Sequence, residues 1–152
     1  MKSLQEIYKP EGRCFGCGPS NSQGLRLRIF PEGDGAVAEF QAEPQHEAFP
    51  GMINGGIIAT LLDCHSAWAA TWAFMRAAGL QTAPNVVTAD LQVSYRRPAP
   101  STEPVRLKAT PVEQGQDWMV VEATLSAGGK VCARSRAKFV KVREDHPAFR
   151  KP

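Results

Sequence analysis

Asn54-Gly55-Gly56-Ile57-Ile58-Ala59-Thr60-Leu61-Leu62-Asp63 reads as the opening of a long helix that carries a carboxylate two turns in. Asn is a good N-cap, and the glycine pair lets another molecule approach the backbone closely. First-turn amides have no intrahelical partners and carry the positive end of the helix dipole, so such a terminus can polarise a carbonyl or hold an oxyanion. The run continues as Cys64-His65-Ser66-Ala67-Trp68-Ala69-Ala70-Thr71-Trp72-Ala73-Phe74-Met75 to about Ala78 and stops at Gly79. It is apolar on almost every face, which predicts a buried central helix. An ionised Asp63 in that setting is costly unless something pairs it or uses it.

Outward from this helix the pattern changes to strands. Leu25 to Phe30 alternates apolar with basic residues, and Ala36 to Ala42 follows the turn Glu32-Gly33-Asp34-Gly35, which predicts a hairpin. Beyond Gly79, Asn85 to Tyr95, Val105 to Glu113, Trp118 to Ser126 and Val131 to Val142 are rich in β-branched residues. Arg97-Pro98-Ala99-Pro100, Glu113-Gln114-Gly115-Gln116-Asp117 and Ala127-Gly128-Gly129-Lys130 separate them as turns or loops. The expected class is α+β, an antiparallel sheet wrapped around one dominant helix. We expect an N-terminal segment and loop over 1–23, the main domain over 24–143 and a tail over 144–152.

At 152 residues and 43% hydrophobic content the chain suffices for one domain with its own core. The N-terminus lacks the apolar stretch of a secretory signal, and the long apolar run is broken by Asp63 and His65, so neither export nor a membrane span is expected. Four cysteines without a signal read as reduced thiols of a cytoplasmic protein. A net charge of +3 with interspersed signs is too weak for a nucleic-acid footprint. The local basic concentrations are Arg96-Arg97 and Arg134, Arg136 and Lys138. The latter three alternate within a strand and share one sheet face, read either as a solvated surface or as a landing area for the phosphates of an anionic substrate.

Three segments carry a family resemblance: Gly55 to Asp63; Val87-Thr88-Ala89-Asp90-Leu91-Gln92-Val93-Ser94-Tyr95-Arg96-Arg97-Pro98-Ala99; and Cys14-Phe15-Gly16-Cys17-Gly18-Pro19-Ser20-Asn21-Ser22-Gln23-Gly24-Leu25. Together they resemble the hotdog-fold acyl-CoA thioesterases of the phenylacetyl-CoA thioesterase (PaaI-like) type, within the 4-hydroxybenzoyl-CoA thioesterase superfamily, over residues 14–142. The resemblance implies hydrolysis of an acyl-CoA to a free acid and CoA, with no cofactor beyond the CoA of the substrate. It implies Asp63 as nucleophile or general base, the Gly55 amide as carbonyl polariser and Thr88 as the hydroxyl that orients water or the carboxylate. Asn54, Gly56, Trp68, Arg96 and Arg97 are the expected substrate-binding residues. Many relatives have His where Asn54 stands, and some have Asn where Ala48 stands.

Gly55 and Asp63 are eight residues apart, about 12 Å along a straight helix. One thioester carbonyl cannot touch both within one chain. If both act on it they come from two subunits with helices antiparallel across a two-fold axis, which predicts a homodimer with sites at the interface. The resemblance adds pairing of dimers into tetramers. His65 lies about 200° round the helix from Asp63 and makes no dyad with it, so a packed histidine is expected. That geometry ranks enoyl-CoA hydration below hydrolysis, and a non-catalytic acyl-CoA-binding protein stands as the alternative. Trp68 and Trp72 read first as core, with a second role in shaping an acyl pocket for short or aromatic groups. Cys14-Phe15-Gly16-Cys17 looks like half a zinc knuckle, but Cys64 and Cys132 fall in a helix and a strand, and the count of ligands argues against an intrachain zinc site. No metal is expected.

Overall fold

The computed structural model describes residues 1–147; the last part of the expected tail, 148–152, lies outside the described residues. Two α-helices and six strands follow in the order α1 (Leu4–Tyr8), β1 (Arg28–Glu32), β2 (Gly35–Phe40), α2 (Gly55–Ala78), β3 (Asn85–Tyr95), β4 (Val105–Gln114), β5 (Trp118–Ala127) and β6 (Lys130–Val142), with a 3₁₀ turn at Pro44–His46 between β2 and α2. The sheet is antiparallel in the order β1-β2-β4-β5-β6-β3, with β1 and β3 as its edges. It wraps α2, the hotdog architecture expected above.

Helix α2 begins and ends where its residues dictate. Asn54 caps it by accepting from the Gly56 and Ile57 amides at 2.8 and 3.1 Å, and Gly79 ends it in the left-handed region at φ 63°. Leu61, Leu62, Ala69 and Ala70 are fully buried against the inner sheet face. Strand alternation supplies that face: Val105, Leu107 and Ala109 of β4 and Ala133, Ala137 and Phe139 of β6 point in, while Arg106, Lys108, Arg134, Arg136 and Lys138 point out.

Three expected boundaries shift by two residues or more, one of them the end of β1, which runs on to Glu32 instead of ending at Phe30. Leu25 to Leu27 is not strand: Arg26 adopts φ 54°, and the Leu25 and Leu27 amides donate to Phe15 and Gly16 of the cysteine loop. The local partner displaces the sheet ladder, so β1 starts at Arg28. β2 ends at Phe40, which pairs with Val105, the first residue of β4, and the Gln41 side chain reaches out to the Ser101 carbonyl at 2.9 Å. The N-terminal segment also contains α1, started by a reciprocal capping box in which Ser3 and Glu6 serve each other's amides. Gln5 is buried and stitches α1 to β1, donating to the Leu27 carbonyl at 2.6 Å and accepting from the Ile29 amide at 3.1 Å.

Candidate active site

Asp63 is half-buried on α2 and accepts a hydrogen bond from the Thr88 hydroxyl of β3 at 2.8 Å. The β3 ladder is irregular between Thr88 and Asp90, leaving Ala89 as an extra residue, and such a bulge re-aims the side chains beside it. Burial raises the Asp63 carboxyl above its ordinary range; the Thr88 bond acts against this, and negative charge on Cys14 acts with it. A cavity of ≈ 280 Å³ opens beside the pair, lined by Asp63, Thr88, Trp68, Thr71, Val86 and Cys14 among others. Its wall is mainly apolar and its polar groups are few, the balance of a small-molecule pocket.

At the other end of the same strand, the Tyr95 hydroxyl donates to the Gly55 carbonyl at 2.7 Å. Strand β3 thus runs back along α2, meeting it at Asp63 through Thr88 and at its start through Tyr95. Asn54 engages the amides of Gly56 and Ile57, and its own carbonyl accepts from Ile58 at 3.1 Å. The Gly55 amide has no such partner among the described residues and remains an open first-turn donor. The Gly56 amide is taken up by the Asn54 side chain. Arg96 and Arg97 follow Tyr95 directly and are exposed, with their amides anchored on the Cys132 carbonyl at 2.7 and 3.1 Å.

The expected residues therefore fall into two groups. Asp63, Thr88 and Trp68 share the cavity; Asn54, Gly55 and Gly56 make the helix start, and Arg96 and Arg97 follow Tyr95, whose hydroxyl reaches it. Trp72 takes the packing role, its ring centroid 6.3 Å from that of Tyr8. The basic stripe on β6 is a solvated face: Arg136 pairs with Glu122 at 2.6 Å and Glu113 at 3.3 Å, and Lys138 lies over Trp118. A broader depression lined by Arg26, Arg28, Phe30 and Arg106 contains none of the candidate groups.

His65 is packed, as expected. It is fully buried, with Nε2 2.9 Å from the Ala36 carbonyl. A carbonyl only accepts, so Nε2 carries the proton. Burial pushes the ring's pKa down to about 4, partly countered by that bond.

Two features escaped the sequence reading. Tyr95 lies inside a quoted segment, yet its contact with Gly55 had no sequence signal. Cys64, placed in a helix and so expected to stand apart, meets Cys14 at 3.7 Å between sulfurs. The sulfurs of Cys14, Cys17 and Cys64 all lie within 4.8 Å of one another.

Comparison with known proteins identifies the family of the chain. The Thioesterase superfamily model matches residues 50–133. A solved Thioesterase superfamily protein from Shewanella loihica PV-4 is 34% identical, with 82% of this chain and 97% of that chain covered at a TM-score of 0.67. The E. coli PaaI protein of the phenylacetic acid degradation operon shares the fold at 18% identity, with 78% and 81% covered and a TM-score of 0.67. Acyl-coenzyme A thioesterase THEM4 of Bos taurus is 29% identical over 101 residues, 65% of this chain but 38% of that protein. With a family model spanning more than half of its length and a solved relative aligned over nearly the whole of that relative, this chain belongs to the Thioesterase superfamily.

Proposed function

We propose that this protein hydrolyses an acyl-CoA thioester to a free acid and CoA, with Asp63 as the general base or nucleophile. The observation that carries the reading is the Thr88 to Asp63 hydrogen bond of 2.8 Å at the mouth of an apolar cavity. A carboxylate held by one donor keeps lone pairs free for a water or a carbonyl carbon.

As base, Asp63 takes a proton from water while the oxygen bonds to the thioester carbon. The carbonyl oxygen becomes an oxyanion held by the Gly55 amide of a second copy. The C–S bond then breaks, and the CoA sulfur leaves with the proton Asp63 held. As nucleophile, Asp63 bonds to the acyl carbon as the C–S bond breaks and CoA leaves as thiolate, giving a mixed anhydride that water then opens to the free acid and the Asp63 carboxylate. The second copy is part of the proposal because about 12 Å of helix separates the two groups within one chain. Exposed Thr88, Asp90, Gln92 and Ser94 on the edge strand β3 support a homodimer built across that edge, with dimers able to pair again. Arg96 and Arg97, exposed beside the helix start, are the groups we assign to the CoA phosphates. Trp68 closes the acyl end of the cavity, which favours short or aromatic acyl groups. Four free thiols fit a reducing compartment such as the cytoplasm.

The test is thiol release from short, medium, long and aromatic acyl-CoAs by wild type and Asp63→Asn, both confirmed folded and dimeric. We expect a fall of about a hundredfold or more in the variant. Equal release by both proteins refutes the role of Asp63. Tight acyl-CoA binding without turnover in wild type selects the non-catalytic binding protein, a reading favoured by Asn54 occupying two helix-start amides.

A further inference from the structure

We propose that Cys14, Cys17 and Cys64 form a three-thiolate site for a zinc-class divalent cation, with the fourth coordination position open to the cavity beside Asp63. The inference stands apart from the hydrolase reading, because it rests on the sulfurs and on the loop that presents them.

The distances fit. Zinc–thiolate bonds of about 2.3 Å in a tetrahedron place sulfurs about 3.8 Å apart, and Cys14 and Cys64 are separated by 3.7 Å. The remaining pairs lie within 4.8 Å, about 1 Å from the tetrahedral edge and within reach of small side-chain rotations.

The loop is built around Cys14. The Gly18 amide closes the turn on the Cys14 carbonyl at 2.9 Å. A side chain at Gly18 would strike the backbone at Cys14 and the Gly12 carbonyl, and one at Gly16 would strike the Cys64 sulfur. Glycine at both places is what lets the loop close on itself and on α2. Thiolate is the form that binds metal. Trp68 and Lys9 line the same cavity as the three cysteines.

Binding would send any remaining thiol protons to solvent and leave a complex of one divalent cation and three thiolates, net charge −1, which the Lys9 ammonium offsets. Sulfur donors in this number select soft, borderline cations over magnesium or calcium. The fourth ligand is a water or a small anion from the cavity, since the fourth cysteine, Cys132, lies on β6 outside the cluster, its thiol 3.7 Å from the Lys130 carbonyl. The bound cation would tie the N-terminal loop to α2 one residue from Asp63.

The test uses the full chain, reduced, stripped with a chelator and titrated anaerobically with cobalt(II), then displaced with zinc(II). We expect one equivalent per chain, a sulfur-to-cobalt charge-transfer band and the intense visible bands of tetrahedral cobalt, all bleached by zinc. Cys14→Ser should weaken uptake by about a hundredfold and Cys64→Ser likewise, while Cys132→Ser leaves it unchanged; circular dichroism checks that each is folded. Cys14 is exposed on its loop, so its variant decides the matter if Cys64→Ser misfolds. Absence of the charge-transfer band, uptake that survives Cys14→Ser, or uptake lost in Cys132→Ser overturns the site.

Discussion

Replacing His65 by Gln should flatten the acid side of the stability profile while leaving the chemistry in place. The ring is fully buried, and desolvation outweighs the bond to the Ala36 carbonyl, so its pKa falls from 6.5 to about 4. The folded state therefore holds this proton more weakly than the unfolded chain does. Between those values the unfolded chain binds more protons, and stability falls as pH drops from about 6.5 towards 4. At 1.36 kcal/mol per pH unit, the full gap corresponds to about 3 kcal/mol, of which about 2 kcal/mol is lost between pH 7.5 and 5. Gln retains a donor for the Ala36 carbonyl and does not titrate. Urea unfolding of both proteins at the two pH values, at one protein concentration, gives the double difference directly. Wild type should lose about 2 kcal/mol more than His65→Gln on acidification, and thiol release at pH 7.5 should remain within a few-fold. An identical pH dependence in the two proteins refutes the buried neutral ring. A hundredfold loss of turnover in a folded variant refutes its structural role.

Three further substitutions probe the site and its scaffold. Thr88→Val removes the donor to Asp63 while keeping the side chain's shape, and hydrogen bonds to charged groups are worth about 1.5–3 kcal/mol; turnover should fall roughly ten- to a hundredfold, measured as kcat for thiol release with folding checked by circular dichroism. Gly16→Ala drives a methyl into the Cys64 sulfur and to 2.9 Å from the Thr60 methyl, so urea melts should show a loss of about 1–3 kcal/mol. Asn54→Ala strips the cap from the Gly56 and Ile57 amides and should cost about 1 kcal/mol in the same assay.

The elements with strong local signals were legible before any contact was known. Asn54, Gly55 and Gly79 bound α2 because capping is decided by the residues at the ends themselves. Strand β3 runs over the expected Asn85–Tyr95, and β4 to β6 agree to within a residue at either end. The start of β1 was not legible, because the carbonyls that claim Leu25 and Leu27 belong to residues about ten positions earlier. Helix α1 had a signal in Ser3 and Glu6, three residues apart as a capping box requires. The juxtaposition of Asp63 with Thr88 was reached through family resemblance rather than through spacing.

Strand parity explains why tertiary structure alone resolves the site. Thr88 and Tyr95 are seven residues apart, and in a regular strand an odd separation puts them on opposite faces. The extra residue at Ala89 reverses the alternation, so both meet α2, one at Asp63 and the other at Gly55. No pattern of residue types announces that bulge. The cysteines are similar: 50 residues separate Cys14 from Cys64, and only the packing of the loop through Gly16 onto α2 brings their sulfurs together. The sequence by itself determined the helix with its caps, the strand periods and the carboxylate stranded in an apolar run, because those depend on hydrogen bonding and hydrophobicity within a few residues. Strand order, the face reversal in β3 and the meeting of three thiols depend on contacts between distant segments, which only the folded chain decides.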